Sequence, residues 1–178
     1  MFKIGDEVYY GIHGHCEVTG IETKQVGGEA VAFYAIRAVR TVPVPKSTSR
    51  SQAQILVPVT NAQNTGLRPL MTAEQTSQIL LMLADQEYYF PLGENWVVKN
   101  RHLEDVIRRE GATGLAKAVG HLHVLVKQDV APRGDAVRLY ESLLRSLVNE
   151  MTLALGKATK DVEITVLRAL KHKLHADH

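Results

Sequence analysis

Histidine and cysteine side chains, the residue types that bind transition metals, lie close together near the start of the chain. His13, His15 and Cys16 fall within one four-residue stretch, and imidazole and thiolate are ligands that zinc prefers. If this stretch is a strand, its alternation sends Cys16 to the face opposite the two histidines. A second group repeats every third residue near the C-terminus and consists of His172, His175 and His178. Because a three-residue step drifts around a helix, we predict no metal site and no cofactor.

Motifs for common enzymatic chemistry are missing from the sequence. It contains no G-x-x-x-x-G-K phosphate loop, no Rossmann glycine pattern, no G-x-S-x-G elbow and no H-E-x-x-H helix. We therefore predict that the protein is not an enzyme and has no catalytic residues.

Composition and charge narrow the remaining classes. The single cysteine excludes an internal disulfide, no basic-then-apolar leader opens the sequence, and the longest apolar run is far shorter than the about 18 residues of a membrane span. We expect a cytoplasmic protein. Residues 1–93 carry 7 Lys and Arg against 8 Asp and Glu, net −1, whereas residues 94–178 carry 14 against 11, net +3. This asymmetry permits a nucleic-acid partner without requiring one.

The only tryptophan, Trp96, stands among polar neighbours, with Lys99 and Arg101 close behind it. An aromatic ring can stack on an unpaired base, and nearby cations can bind phosphates. Seven residues separate Trp96 from Leu103, however, which is about two helical turns, so the ring can equally extend a buried stripe. Lys99 and Arg101 have an equally ordinary interpretation as cations on a solvated helix face.

The first part of the chain has the pattern of short strands. Gly27 and Gly28 supply the positive φ angles of a tight hairpin. Pro58 cannot donate to a ladder, which places its strand at an edge of the sheet or limits its pairing. The segment 41–54 has the composition of a surface loop. We predict a small antiparallel β-barrel over residues 1–68.

From Thr72 onward the apolar residues recur with helical spacing. Thr72 and Gln75 have the spacing of a capping box, and Asn95 is a favoured residue to begin a second helix. Gly111 and Gly114 are expected in the connection to the third helix. We predict a helical bundle over residues 69–178, and hence an α+β protein of two domains.

Two more helices are predicted at the end of the chain, over residues 135–155 and 160–174. Gly156 suits the C-cap of the first of them. The second helix either packs back on the bundle or stands free.

Several blocks together resemble the CarD/CdnL family of bacterial transcription regulators. They are the opening MFKIGDEVYY with HG shortly after it, then ILVPVTNAQNTGLRPL, ENW at 94–96, and LLRSLVNEMTLALG. The resemblance extends from Met1 to about Gly156 and weakens beyond. It implies a Tudor-like barrel that docks on the RNA polymerase β subunit, followed by a helical domain that touches promoter DNA.

Residue roles follow from this resemblance. Trp96 matches the tryptophan that wedges into the minor groove at the upstream edge of the transcription bubble and stabilises the open promoter complex. Lys99 and Arg101 match a segment that holds DNA phosphates, although Val98 stands where relatives commonly have arginine. Lys24 matches a basic position of the β-subunit interface. Leu56 falls near a second basic position of that interface, so the pattern is broken there.

Two partner classes remain open. The resemblance implies a monomer that binds the polymerase β subunit and promoter DNA, with no membrane partner. The segment 41–54, which contains Lys46 and Arg50, is a candidate source of the charge missing at Leu56. The alternative is a protein-only adaptor whose barrel binds a polymerase or repair partner, since transcription-repair coupling factors share the barrel.

Overall fold

The architecture comes from a computed structural model that describes residues 1–39, 53–85, 95–127 and 134–175. The chain forms two compact units, Met1–Leu70 and Met71–His178. The first contains strands and the second contains helices. The α+β class predicted from the sequence is confirmed.

The residues that the structure describes in the first unit form one antiparallel sheet of five strands in the order β4-β3-β2-β1-β5. The strands are β1 (Glu7–Tyr10), β2 (Gly14–Val26), β3 (Glu29–Ala38), β4 (Ile55–Pro58) and β5 (Leu67–Pro69). Within the described residues no pairing joins β4 to β5, so the sheet is not closed. Its core contains mainly side chains from one face, Val8, Cys16, Val18, Tyr34, Ile36, Val57, Ala62 and Leu67.

The long β2–β3 hairpin turns at Gly27 and Gly28, whose φ angles are 61° and 90°. The predicted glycine hairpin is thus confirmed. A bulge lies between Val18 and Gly20. Because one extra residue reverses the alternation, Ile21 falls opposite Tyr34 on the core side of the sheet, where Val18 also lies three residues earlier, although Ile21 is 49% exposed.

Pro58 ends β4, and β4 is an edge strand, which is the first of the two alternatives that the proline allows. The proline pairs with Phe33 of β3. Of the predicted loop 41–54, residues 41–52 lie outside the described residues.

The described part of the second unit contains five helices. They are α1 (Ala73–Asp85), α2 (Trp96–Glu110), α3 (Ala112–Lys127), α4 (Asp135–Leu155) and α5 (Thr159–His175). The central helix is α3, since eleven of its residues are buried and it packs on α1, α2, α4 and α5. None of the helices in the described part of the chain is long and apolar enough to cross a membrane.

The start of α1 is fixed by two sets of polar contacts. The Thr72 N–H donates to Gln75 Oε1 at 2.9 Å, and the Gln75 N–H donates to Thr72 Oγ1 at 3.2 Å, which confirms the predicted capping box. The N–H of Met71 donates to Oε1 of Glu150 on α4 at 2.9 Å. Glu150 is only 1% exposed, so this buried carboxylate ties the entry to α1 to the middle of the bundle.

A second buried polar contact joins α3 to α4. Nδ1 of His123 lies 2.8 Å from the hydroxyl of Tyr140, and burial raises the pKa of that tyrosine to about 12. Sequence patterns had assigned neither Glu150 nor this pair a role, because a polar residue on an apolar stripe is recognised only once its partner is known.

The last helix packs against the bundle, which decides between the two alternatives left open by the sequence. Val162, Val166 and Leu170 of α5 are buried, and α5 packs mainly on α1 and α4. Gly156 caps α4 in the left-handed conformation, with its N–H bonded to Thr152 O at 2.9 Å. That C-cap confirms the prediction.

Candidate functional site

The N-terminus of α2 is defined by Asn95. Its backbone is extended, and its Oδ1 accepts a hydrogen bond from the Val98 N–H at 3.1 Å. The Asn95 carbonyl accepts from the Lys99 N–H at 3.0 Å. Such a cap satisfies N–H groups that have no partner inside the helix. Trp96 is therefore the first helical residue, as the sequence predicts.

Trp96 is partly buried: its ring is neither enclosed by the core nor fully displayed. The next two side chains are more exposed, Val97 by 61% and Val98 by 43%. The first turn of α2 consequently presents apolar surface to solvent. Trp96 is therefore neither a fully buried core residue nor a fully exposed one, and its role in DNA binding stays a prediction.

Lys99 occupies an unexpected place for a phosphate ligand. Only 7% of its surface is exposed, and it shares a buried face of α2 with Leu103 and Ile107. At most the end of its side chain reaches solvent, while its aliphatic stem is covered. The spacing of four residues to Leu103 was a signal in the sequence for this orientation. A DNA contact by Lys99 stays a prediction and requires the end of the side chain to point outward.

Arg101 lies on the outer side of α2, where it is exposed. It contributes to an open depression of about 550 Å³ along the helix. The described residues that line this depression are Val98, Arg101, His102, Glu104, Asp105 and Arg108. Because three of them are basic and two are acidic, its charge is mixed.

Ion pairs within this region reduce its positive charge. Asp105 accepts a hydrogen bond from Arg108 and lies 2.5 Å from Nη2 of Arg109. The Arg108 hydrogen bond, helped by the charge of Arg109, holds the pKa of Asp105 below its ordinary value. Nζ of Lys117 lies 2.6 Å from Oε2 of Glu110. Among the lysines and arginines of α2 and α3, Arg108, Arg109 and Lys117 are therefore paired with carboxylates.

Close packing fixes α2 against α3. Gly111 is the only residue between them, and its N–H bonds to Ile107 O at 3.0 Å with a φ of 61°. Gly114, predicted in the connection, instead lies inside α3. A Cβ atom at Gly114 would come within 2.3 Å of the Val106 carbonyl oxygen, so only glycine permits this approach. The prediction for Gly114 was wrong because a glycine was interpreted as a break where packing requires it.

Lys24 and Leu56 lie on the same face of the sheet, the face opposite the core. Lys24 pairs with Val31 across the hairpin, and Leu56 pairs with Ala35. Directly paired residues share a face, and so do alternate residues along β3. Phe33 lies between these rows and pairs with Pro58. This outer face is apolar around β3 and β4, and β4 is at the edge of the sheet.

The charge of Lys24 is balanced locally. Its Nζ lies 3.6 Å from Oε2 of Glu22, and both side chains are substantially exposed. The amide of Gln54 donates to Oε1 of the same glutamate at 3.2 Å. An exposed pair of this kind stabilises the fold little, so Lys24 can exchange Glu22 for another acidic partner at small cost.

The histidine and cysteine cluster is not brought together: His13 ends a 3-10 turn (Gly11–His13) before β2, and only His15 and Cys16 lie on the strand. Cys16 pairs with Val8 and His15 pairs with Tyr9, so the two side chains point in opposite directions. Burial raises the pKa of the Cys16 thiol to about 11. Among the described residues, no three His, Cys, Asp or Glu side chains are grouped to hold a metal. Of the C-terminal group, His178 and the side chains of His172 and His175 lie outside the described residues.

Comparison with known proteins adds no identification. No protein-family model matches the chain, and no curated protein is significantly similar to it.

Proposed function

We propose that this protein is a cytoplasmic transcription regulator that docks as a monomer on the RNA polymerase β subunit. In this proposal the sheet unit is a Tudor-like docking domain, and the helical unit contacts promoter DNA at the upstream edge of the bubble. The Trp96 ring packs against a base step there and opposes reannealing, so the open complex lives longer. No bond is made or broken, and no cofactor or membrane takes part.

The start of α2 is the observation on which the proposal depends. A capped helix terminus holds an aromatic ring that is partly accessible, with exposed Val97 and Val98 beside it. An apolar wedge of this kind suits a base step that is already unpairing. In this proposal the exposed guanidinium of Arg101, five residues further along α2, binds a phosphate. Lys99 has a smaller part, because it is largely buried.

The outer face of the sheet supports protein docking. Leu56 and Phe33 supply apolar contact area, and Lys24 supplies an exposed cation. The edge strand β4 offers main-chain groups to which a partner strand can add. Docking also raises the local concentration of the α2 terminus at the promoter, so a weak DNA contact is sufficient.

A protein-only adaptor is the second candidate. The pairing of Arg108 and Arg109 with Asp105 favours it, because it leaves α2 with few cations for DNA. In the adaptor the helical unit binds a protein instead of a promoter.

The test is the lifetime of the open complex formed by RNA polymerase with the full chain and with Trp96→Ala. Base stacking contributes about 1–3 kcal/mol, so we expect the variant to shorten the lifetime at least about fivefold. Leu81→Ala is the control, since it removes another exposed apolar side chain, 71% exposed, from α1. An unchanged lifetime with Trp96→Ala, while binding to the β subunit persists, would exclude the wedge and favour the adaptor.

A further inference from the structure

The outward face of α5 carries a row of basic side chains. Lys160, Arg168 and Lys171 are exposed and lie within about 80° of the helix circumference, since each residue advances about 100°. Lys157 is exposed just before the helix begins. The opposite face of α5 is buried through Val162, Val166 and Leu170. The helix is thus fixed to the bundle by one face and displays cations on the other.

The cations of this row are not neutralised by neighbours. Within the described residues none of Lys157, Lys160, Arg168 and Lys171 makes an ion pair or a side-chain hydrogen bond. Asp161 and Glu163 are also exposed on α5, but they do not pair with the row. In α2, by contrast, two arginines share one aspartate. The charge of α5 is therefore available to a partner.

We propose that this row, Lys160, Arg168 and Lys171 with Lys157 at its end, binds the phosphate backbone of duplex DNA. Lys160 and Lys171 are eleven residues apart, which is about 16 Å along a helix. Duplex DNA carries about ten negative charges over that length. The inference goes beyond the proposed function, because it concerns a helix outside the region that resembles the regulator family and involves no base readout or wedge.

The chemistry of the face favours DNA over the other anionic surfaces. A basic helix that binds an anionic membrane inserts its apolar face among the lipids, but the apolar face of α5 is buried in the bundle. Of the large apolar side chains that the structure describes in α5, Ile164 alone is strongly exposed, by 48%, and it lies within the row, four residues from both Lys160 and Arg168. Protein interfaces are depleted in lysine at their core. A row of lysine and arginine with little apolar area fits a polyphosphate.

The experiment measures binding of the full chain to a short labelled duplex of mixed sequence, without polymerase, over a range of salt concentrations. The triple variant K160Q/R168Q/K171Q removes three phosphate contacts. Because each contact contributes about 0.9 to the slope of log K against log salt, we expect the slope to decrease by about 2.7 units. The substituted side chains are exposed, so the circular dichroism spectrum and melting temperature are expected to stay unchanged. If the triple variant unfolds, Arg168→Gln alone tests the same effect, with an expected decrease of about 0.9.

The matched control is K127Q/R138Q/R145Q, which removes three exposed cations from α3 and α4 and the same total charge. We expect it to change the slope by less than one unit. An equal decrease in both triple variants would show that binding follows net charge and would overturn the proposal. An unchanged slope in the α5 variant would also overturn the proposal. So would an α5 variant that loses binding to anionic lipid vesicles but binds DNA as the wild type does.

Failure of the wedge is distinguishable from failure of this inference. Trp96→Ala leaves the α5 row intact, so we expect wild-type affinity for closed duplex DNA in the absence of polymerase. If the α5 variant reduces the salt slope as expected but Trp96→Ala leaves the open complex unchanged, this inference stands and the proposed function fails.

Discussion

Helices α2 and α5 have similar numbers of charged residues but present different surfaces. Each has four lysines and arginines, against three acidic residues in α2 and two in α5. In α2 one lysine is buried and two arginines share Asp105, so Arg101 remains the one exposed cation without a carboxylate partner among the described residues. In α5 the described cations are exposed and unpaired. The charge that a helix displays depends on its partners more than on its composition.

This difference divides two tasks between two helices. The start of α2 offers an aromatic ring and little net charge, which suits a contact made once the protein is already held at its target. The face of α5 offers charge with little apolar area, which suits attraction without sequence readout.

The largest expected effect tests how α5 is anchored. Leu170 is fully buried, and Leu170→Ala is expected to lower the free energy of unfolding by about 2–5 kcal/mol, from lost apolar burial and the cavity left behind. Ile164→Ala, on the exposed side, is expected to change it by less than about 0.5 kcal/mol. Urea unfolding followed by circular dichroism measures both. Equal effects would contradict the orientation assigned to α5.

A smaller effect tests how α2 is held. Gly114→Ala places a methyl group against the Val106 carbonyl, and we expect it to lower the free energy of unfolding by about 1–3 kcal/mol. Gly134→Ala is the control, because a Cβ atom there meets nothing within 4 Å and the backbone is in the right-handed helical region. Thermal unfolding of the two variants provides the comparison. A Gly114→Ala protein as stable as Gly134→Ala would show that α2 and α3 separate readily.

The smallest expected effect comes from a substitution that leaves the arginines of α2 unpaired, as the described cations of α5 are. Asp105→Asn releases Arg108 and Arg109, so the salt slope of duplex binding is expected to steepen by about one to two units. The pKa of Asp105 is lowered in the folded protein, so the carboxylate stays ionised at neutral pH and its pairs are lost only as the pH falls through that lowered pKa. The difference from wild type is accordingly expected at all neutral pH values.

Glu141→Gln, an exposed acid on α4, is the control for that measurement. It makes the same change in net charge without releasing an arginine. If both variants steepened the slope equally, the pairing in α2 would have no part in limiting its contact with DNA.

Local signals in the sequence were sufficient where a residue acts on its own backbone. The Gly27–Gly28 hairpin, the Thr72 capping box and the Asn95 N-cap were all predicted, because their chemistry involves atoms only a few residues apart. Lys99 and Gly114 were interpreted from residue type, as a surface cation and a helix break. Their environments are set by tertiary packing, which residue type does not encode.

Whether the sheet closes depends on contacts between residues that are far apart in the sequence. Alternation and turn residues predicted strands, but whether β4 meets β5 depends on curvature accumulated over the whole sheet. The candidate site was predictable in part for the same reason: Trp96 was located at its helix terminus, whereas its degree of burial depends on what packs around that terminus.

Alkylation of the buried Cys16 thiol can be used to follow the opening of the sheet unit. Its pKa of about 11 keeps it almost entirely protonated at neutral pH, and alkylating reagents attack the thiolate, so modification follows the opening of β1 and β2. Burial raises the pKa of the Cys16 thiol in the folded protein. The contribution of this shift to the free energy of unfolding is therefore fully present below pH 9 and is lost as the pH rises toward 11. The rate of Cys16 alkylation would therefore measure the opening of the sheet unit, while the fluorescence of Trp96 follows the helical unit.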